Sequence, residues 1–361
     1  MSRVLILTAS VGEGHDLPAR LLAERLRAEH ADAEVVIEDG LRAMGRAFVL
    51  VNERAPRVVF HRLRWLWDAA FWICVRARSS RRFTRRLVYA FGAGGVLRLI
   101  ERVSPDVVVS VYPMTTEVLG ALRRSGKLEI PTVAVITDLA MMHYWAAPGI
   151  DLHLVTHVES TDEVRDVAGR EARVVAVKGL VRPEFESHRD HDEARVALRL
   201  PLDARVALVS GGGWGVGDLT GAIDAALEVD DALVVCLTGR NETVRVRIEE
   251  RYADESRVTV VGFTEQMGDW LAAADVLVHS TGGLTVLEAA IRGCPTISYG
   301  WGRGHIRANN EAFSRHGFAD VVSRRDELQG AIARAFAGGR RHSLPVAKLP
   351  SAAALVIALL A

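Results

Sequence analysis

The chain is poor in the residues that cross-link, chelate or grip phosphate with an amine. Cysteine occurs three times in 361 residues, at Cys74, Cys236 and Cys294, far apart and without paired spacing. That excludes a disulfide framework and a thiolate zinc site, and suits a reducing cytoplasm. Lysine is nearly absent, and no G-x-x-x-x-G-K-[ST] phosphate loop exists. Basic and acidic residues balance at 45 each, so no global field attracts nucleic acid. No stretch reaches the roughly 18 uncharged apolar residues needed to span a bilayer. The VLIL run near the N-terminus is too short for the apolar region of a secretory signal and lacks a basic leader. The C-terminal AAALVIALLA is expected to be a helix packed on the core. A soluble or membrane-peripheral protein is the expectation.

What is present is an apolar fraction of 49% and a length that suits about two domains. Short apolar runs bounded by turn signals alternate with helical periods. In the first half they are VLILTAS, DVVVSVY, TVAVIT and LHLVTH; in the second, VALVSGGG, ALVVCLTG, VTVVGF, DVLVHS and PTISYG. Runs apolar on both faces suit parallel strands buried between helix layers. Two such series predict two doubly wound α/β domains. The expected boundaries are 1–182, a polar and proline-flanked link at 183–205, a second domain at 206–338 and a tail at 339–361.

One region departs from the overall neutrality. Between Arg42 and Arg98 arginines crowd together, Arg81, Arg82, Arg85 and Arg86 among them, opposed by only Glu53 and Asp68. Trp65, Trp67, Trp72 and several phenylalanines are interleaved. Basic side chains attract anionic headgroups while Trp and Phe settle at the acyl boundary, so the segment reads as a membrane-facing surface. Aromatics packed inward under a solvated arginine face would give the same composition.

Four glycine-bearing loops follow apolar runs. In VLILTASVGEGH, Gly12 and Gly14 precede a helix whose first N–H groups are free for a polar ligand, and His15 titrates near neutrality. A tight turn beside a surface histidine reads alike. In VALVSGGGWGVGD, Gly211, Gly212, Gly213, Gly215 and Gly217 stand at near-dinucleotide spacing. The next run, however, ends in Thr238, Gly239, Arg240 and Asn241, with no acid for a ribose, which disfavours NAD. In DVLVHSTGGLTVLEAA, residues Ser280, Thr281, Gly282, Gly283, Leu284 and Thr285 offer hydroxyls and amides to a diphosphate, and Glu288 lies where a ribose diol could reach. In GWGRGHIRANN, His305, Arg307, Asn309 and Asn310 suit a polyhydroxylated group.

In this order the loops resemble the family 28 glycosyltransferases. The resemblance is nearest to monogalactosyldiacylglycerol synthases and bacterial processive diacylglycerol glucosyltransferases, and more distant to the enzymes that form peptidoglycan lipid II. It rests on TASVGEGH, ITDLAMMHYW, KGLVRPEF, SGGGWGVGD, LTGRNE, VVGFTEQMGDWLAAADVLVHSTGGLTVLEAAIRGCPTI and GHIRANN, which cover most of the chain. The resemblance implies a GT-B fold of two Rossmann-like domains across a cleft, a UDP-sugar co-substrate, a lipid acceptor at the inner membrane face, inversion at the anomeric carbon, and no metal or other cofactor. It implies His15 as general base, with Asp138 and His143 as further catalytic candidates and Trp145 beside the acceptor. Gly12 and Gly14 would approach the donor, and Gly212 and Gly213 its leaving group. Gly262, Phe263 and Thr264 would flank the uracil, residues 280–285 would hold the phosphates, and Glu288 the ribose. Gly304, His305 and Asn309 would meet the sugar. The family's Gly-Gln-Glu is here Gly304-His305-Ile306, which removes an acceptor for a sugar hydroxyl and leaves the donor sugar open. A transferase for a soluble acceptor, a non-catalytic UDP-sugar or lipid-binding protein, and a sugar-nucleotide epimerase remain alternatives.

Overall fold

The computed structural model describes residues 2–9, 13–50, 78–280, 283–300 and 305–360. The chain divides into two compact units, 1–182 with 348–361, and 183–347. Each is built on one six-stranded sheet in which every described pair is parallel.

The first unit has β1 (Ser2–Thr8), β2 (Ala33–Asp39), β3 (Val107–Ser110), β4 (Thr132–Ile136), β5 (Leu152–Val155) and β6 (Val174–Ala176), ordered 2-1-3-4-5-6. Alternate residues of β1 serve opposite layers, as the two-residue side-chain period requires. Leu5 and Leu7 pack with Val88, Val96, Leu99 and Ile100 of the helix Arg78–Val103 and with Leu119 and Leu122 of the helix Pro113–Arg124. Val4 and Ile6 pack with Ala19, Leu22 and Leu26 of the helix Glu13–Glu29. Both faces are therefore apolar, which is why these runs carry no polar alternation.

The second unit has β7 (Arg205–Ser210), β8 (Ala232–Leu237), β9 (Val258–Val261), β10 (Val276–His279), β11 (Thr296–Tyr299) and β12 (Asp320–Val322), ordered 12-11-10-7-8-9. Its core gathers Val209, Val234, Cys236, Val276, Val278 and Ile297 under the helices Leu219–Leu227 and Arg325–Gly338. Burial pushes the Cys236 and Cys294 thiols up to about 12, leaving both un-ionised.

Two expected boundaries differ. Residues 183–205 are not a link but part of the second unit. The helix His191–Leu198 carries Arg195, whose buried guanidinium donates to the carbonyls of Ala273 (3.0 Å) and Leu202 (2.6 Å) and to Asp275 (2.7 Å). The polar composition of this stretch hides a buried cation that needs Ala273 and Asp275, far along the chain, as well as the nearby Leu202. The last residues are not a free tail either. Ala352, Ala353 and Val356 of the helix Ala352–Ile357 complete the core beneath Glu13–Glu29, and Lys178 exchanges backbone hydrogen bonds with Pro350 and Ala352.

Candidate active site

Strand order reverses once in each sheet, between β1 and β3 and between β7 and β10. Outside the C-terminal ends of parallel strands, such a reversal leaves a crevice because the flanking connections leave in opposite directions. The glycine loop before His15 follows β1, and the loops at 211–217 and 280–285 follow β7 and β10.

In the first unit three chain segments meet at this edge. His15, half-buried in the first turn of its helix, places Nδ1 3.1 Å from the Val111 carbonyl oxygen just beyond β3. A carbonyl only accepts, so Nδ1 carries the proton and Nε2 keeps the basic lone pair. The ring is held on two further sides. Tyr112 meets it edge-on at 5.0 Å, and Trp145 lies tilted against it at 5.5 Å. Asp138, buried beyond β4, accepts a hydrogen bond from Trp145 Nε1 at 3.0 Å. Tyr144 is half-buried beside them; desolvation, opposed by a hydrogen bond with Tyr112 and aided by the Asp138 charge, pushes its hydroxyl up to about 12.

His15, Asp138 and Trp145 are thus brought together. His143 shares the short helix Met142–Trp145 with Trp145; this helix starts from Met141 in a left-handed conformation (φ 63°). Its carbonyl is anchored by Arg85 Nη2 at 2.9 Å. This revises the expectation for Arg85. Its guanidinium turns inward to His143 and to Glu117 (3.1 Å), whose carboxyl burial holds above its ordinary range against the pull of Arg85 and Arg124. Arg81 is half-buried, whereas Arg82 and Arg86 are exposed next to Phe83, Leu87 and Phe91 on the same helix. Gly14 is exposed. Gly12, Trp65, Trp67 and Trp72 lie outside the described residues.

The edge of the second unit is built mainly from backbone. Gly212, Gly215 and Gly217 have φ of 64°, 60° and 101°, a region that side chains with a Cβ rarely adopt. A Cβ on Gly215 would stand 2.5 Å from the Thr238 carbonyl oxygen, and one on Gly217 2.5 Å from the Ser280 side chain. The loop after β7 therefore meets those after β8 and β10 this closely only because these positions are glycine. Ser280 Oγ donates to the Tyr299 carbonyl at 2.9 Å, so its proton is engaged there and not offered to an anion. The Tyr299 hydroxyl in turn donates to Asp218, which caps the helix Leu219–Leu227 at the Gly221 N–H (2.9 Å). Gly283 opens the helix Gly283–Arg292 and is buried, Leu284 and Thr285 are half-buried, and Glu288 is buried. Asn309 is buried in the helix His305–Arg315. Gly262 is half-buried and Phe263 exposed, and Thr264 Oγ1 accepts from the Gln266 N–H at 3.0 Å. Thr281, Gly282 and Gly304 lie outside the described residues.

Tyr112, the Val111 carbonyl and Asp218 were not singled out from sequence. The first two become site groups only because β3 lies beside β1. Among the described residues no three His, Cys, Asp or Glu side chains converge as a metal site would need, and no helix is long and apolar enough to cross a membrane.

Comparison with known proteins supplies the family. The monogalactosyldiacylglycerol (MGDG) synthase family matches residues 15–181, and glycosyl transferases group 1 match residues 213–337. A probable monogalactosyldiacylglycerol synthase 2 of Oryza sativa subsp. indica is 30% identical over 81% of this chain, which spans 65% of that protein's length. The processive diacylglycerol beta-glucosyltransferase of Bacillus subtilis is 26% identical over 91% of this chain and 86% of its own. Among solved structures, MurG of Acinetobacter baumannii superposes with a TM-score of 0.57 at 14% identity, over 100% of this chain and 99% of that one. The chain has the GT-B fold, and its sequence is similar to the family 28-like glycosyltransferases, the monogalactosyldiacylglycerol synthases and processive diacylglycerol glucosyltransferases among them.

Proposed function

We propose that the protein transfers a hexose from a UDP-sugar to a diacylglycerol-like lipid at the inner face of the membrane, with inversion and without a metal. The observation that carries this reading is the state of His15. Its Nδ1–H is tied to a backbone carbonyl, and two aromatic rings hold the imidazole, so Nε2 is a fixed base at a strand-order reversal. In the reaction Nε2 takes the proton of the acceptor hydroxyl while that oxygen attacks the anomeric carbon. The bond to UDP breaks from the opposite side. One displacement with no enzyme nucleophile inverts the centre.

The charge growing on the departing UDP calls for donors aimed at it, and backbone amides near a helix N-terminus supply them without a metal. The glycine loop at 211–217 and the start of Gly283–Arg292 are the groups we assign to this task. The lipid acceptor is supported by what the rice and Bacillus relatives are named for, and by Phe83, Leu87 and Phe91. Spaced four residues apart and exposed beside Arg82 and Arg86, they match a face that lies in a headgroup layer.

The test is UDP release by purified protein with diacylglycerol vesicles and a panel of UDP-sugars, wild type against His15→Ala. Turnover that needs vesicles and collapses in the variant supports the proposal. Undiminished turnover removes His15 from its role. Transfer to a water-soluble alcohol with no binding to anionic vesicles replaces the lipid with a soluble acceptor.

A further inference from the structure

The trans peptide between Val111 and Tyr112 turns its carbonyl to His15 Nδ1 and its N–H the opposite way, to Ser110 Oγ at 3.4 Å. Ser110 closes β3, Thr115 and Thr116 lie in the first turn of the helix Pro113–Arg124, and all three are buried. Their hydroxyls form one cluster. Ser110 Oγ and Thr115 Oγ1 are 2.6 Å apart, and Thr116 Oγ1 reaches Ser110 Oγ at 2.9 Å. From the Tyr112 carbonyl oxygen, Ser110, Thr115 and Thr116 stand at 3.0, 2.8 and 3.1 Å. Each hydroxyl has one proton to give. One circuit uses every proton once: Thr116 donates to Ser110, Ser110 to Thr115, and Thr115 to the Tyr112 carbonyl. The same side chains therefore fix both peptide units that flank Tyr112. A Cβ on Gly40 would collide with the Thr115 methyl, so the cluster is closed from that side as well. The Val111 N–H donates to the Leu7 carbonyl of β1 at 2.9 Å, and Thr8 Oγ1, at the end of β1, donates to Asp16 Oδ1 at 2.8 Å beside His15. Strand β1 is thus the common reference for the imidazole and for the carbonyl it meets.

We propose that Ser110, Thr115 and Thr116 are positioning residues for the proton transfer, holding the Val111–Tyr112 peptide so that its carbonyl keeps His15 in the Nδ1–H tautomer. The inference rests on the reading of His15 as the base. A carbonyl of fixed direction selects the tautomer whose lone pair lies on Nε2, whereas a freely turning ring populates both. The same hold sets the Tyr112 ring, which meets the imidazole edge-on. Packing alone does not call for hydroxyls here. Valine fills nearly the volume of threonine, and buried polar groups cost stability unless each is paired. The cluster is instead what a carbonyl needs if it is to keep one direction at the open end of a strand.

The experiment reads the His15 tautomer by ring-nitrogen NMR of the histidine-labelled whole chain near pH 8, above the ordinary imidazole range. Loss of one signal in His15→Ala identifies it. Wild type is compared with Ser110→Ala, Thr115→Val, Thr116→Val and the conservative Thr116→Ser, each at a temperature where its melt shows it folded. The wild type should hold the Nδ1–H form alone, and Ser110→Ala should show the Nε2–H form beside it. In the same variant kcat should fall roughly threefold to thirtyfold while UDP affinity stays within about twofold. Thr115→Val and Thr116→Val should move both readouts the same way by less, and Thr116→Ser should restore them. A variant that melts lower yet keeps one tautomer and the wild-type kcat would show packing only and overturn the proposal. A mixture of tautomers with unchanged kcat would overturn it too. If His15→Ala keeps full turnover, or the wild type transfers to no acceptor, the base reading falls and takes the part of the three hydroxyls in transfer with it. Their hold on the tautomer is still judged by the spectrum.

Discussion

The two strand-order reversals place different kinds of chemistry at equivalent points of two similar sheets. At the first, an imidazole, an indole, a phenol and a carboxylate come from three segments, after β1, β3 and β4, and each holds the next. At the second, glycines in left-handed conformations and capped helix starts present main chain. The contrast follows from the task each suits. Moving one proton needs one side chain with a tuned lone pair. Holding a doubly charged leaving group is done by several weak dipoles that require close backbone approach.

The largest expected effect separates the two edges. His15→Ala should lower kcat by roughly 10²–10⁴-fold, the usual worth of a positioned base, while UDP affinity in a direct binding assay stays unchanged. A parallel loss of UDP affinity would join what is here kept apart.

Acid should weaken both units by one mechanism. His153 in β5 and His279 in β10 are buried, and desolvation lowers each from 6.5 to about 4. The unfolded imidazole takes a proton near pH 6.5 that the folded one refuses until about pH 4, so the unfolded state binds more protons in that window. Stability should therefore fall as the pH drops from about 6.5 to about 4, by about 3 kcal/mol per histidine. Denaturant titrations across this range, with His153→Gln and His279→Gln each removing one share, measure it. A flat profile would contradict the burial of both rings.

Gly215→Ala tests the backbone-built edge. An alanine at φ 60° with its Cβ against Thr238 should cost about 2 kcal/mol or more and weaken nucleotide binding over tenfold, while vesicle binding persists. The smallest effect belongs to the outer face of the first unit. Arg82→Ala and Arg86→Ala should each weaken co-sedimentation with anionic vesicles by about 1 kcal/mol, an effect that vanishes in high salt. Arg85→Ala should instead disturb turnover, because its guanidinium supports the carbonyl of His143.

Local sequence was legible where local forces rule. Each apolar run read as a strand lies on one, and all but β9, a half-exposed strand at a sheet edge, are covered on both faces, which a run apolar throughout suits. The strands that this criterion passes over, β2, β6 and β12, all lie at sheet edges, where half-exposure admits polar residues such as Glu34, Glu38 and Asp320. The glycine loops were legible for the same local reason, since a positive φ nearly demands the residue.

Polar residues with distant partners were not legible. Arg195 made 183–205 look like a solvated link until Ala273 and Asp275 received its guanidinium. Arg85 and Arg86 are neighbours in one arginine-rich run, and only packing turns the first inward to Glu117 and leaves the second exposed. The sequence by itself determined two α/β series, their strand-to-helix glycine turns and the presence of a histidine at the first of them, because backbone conformation and two-sided burial are written residue by residue. Only the tertiary structure decided which nitrogen of His15 is basic, which rings hold it and which unit claims the C-terminal helix. Those outcomes depend on strand order, and strand order brings together residues that lie about a hundred positions apart, such as His15 and Val111.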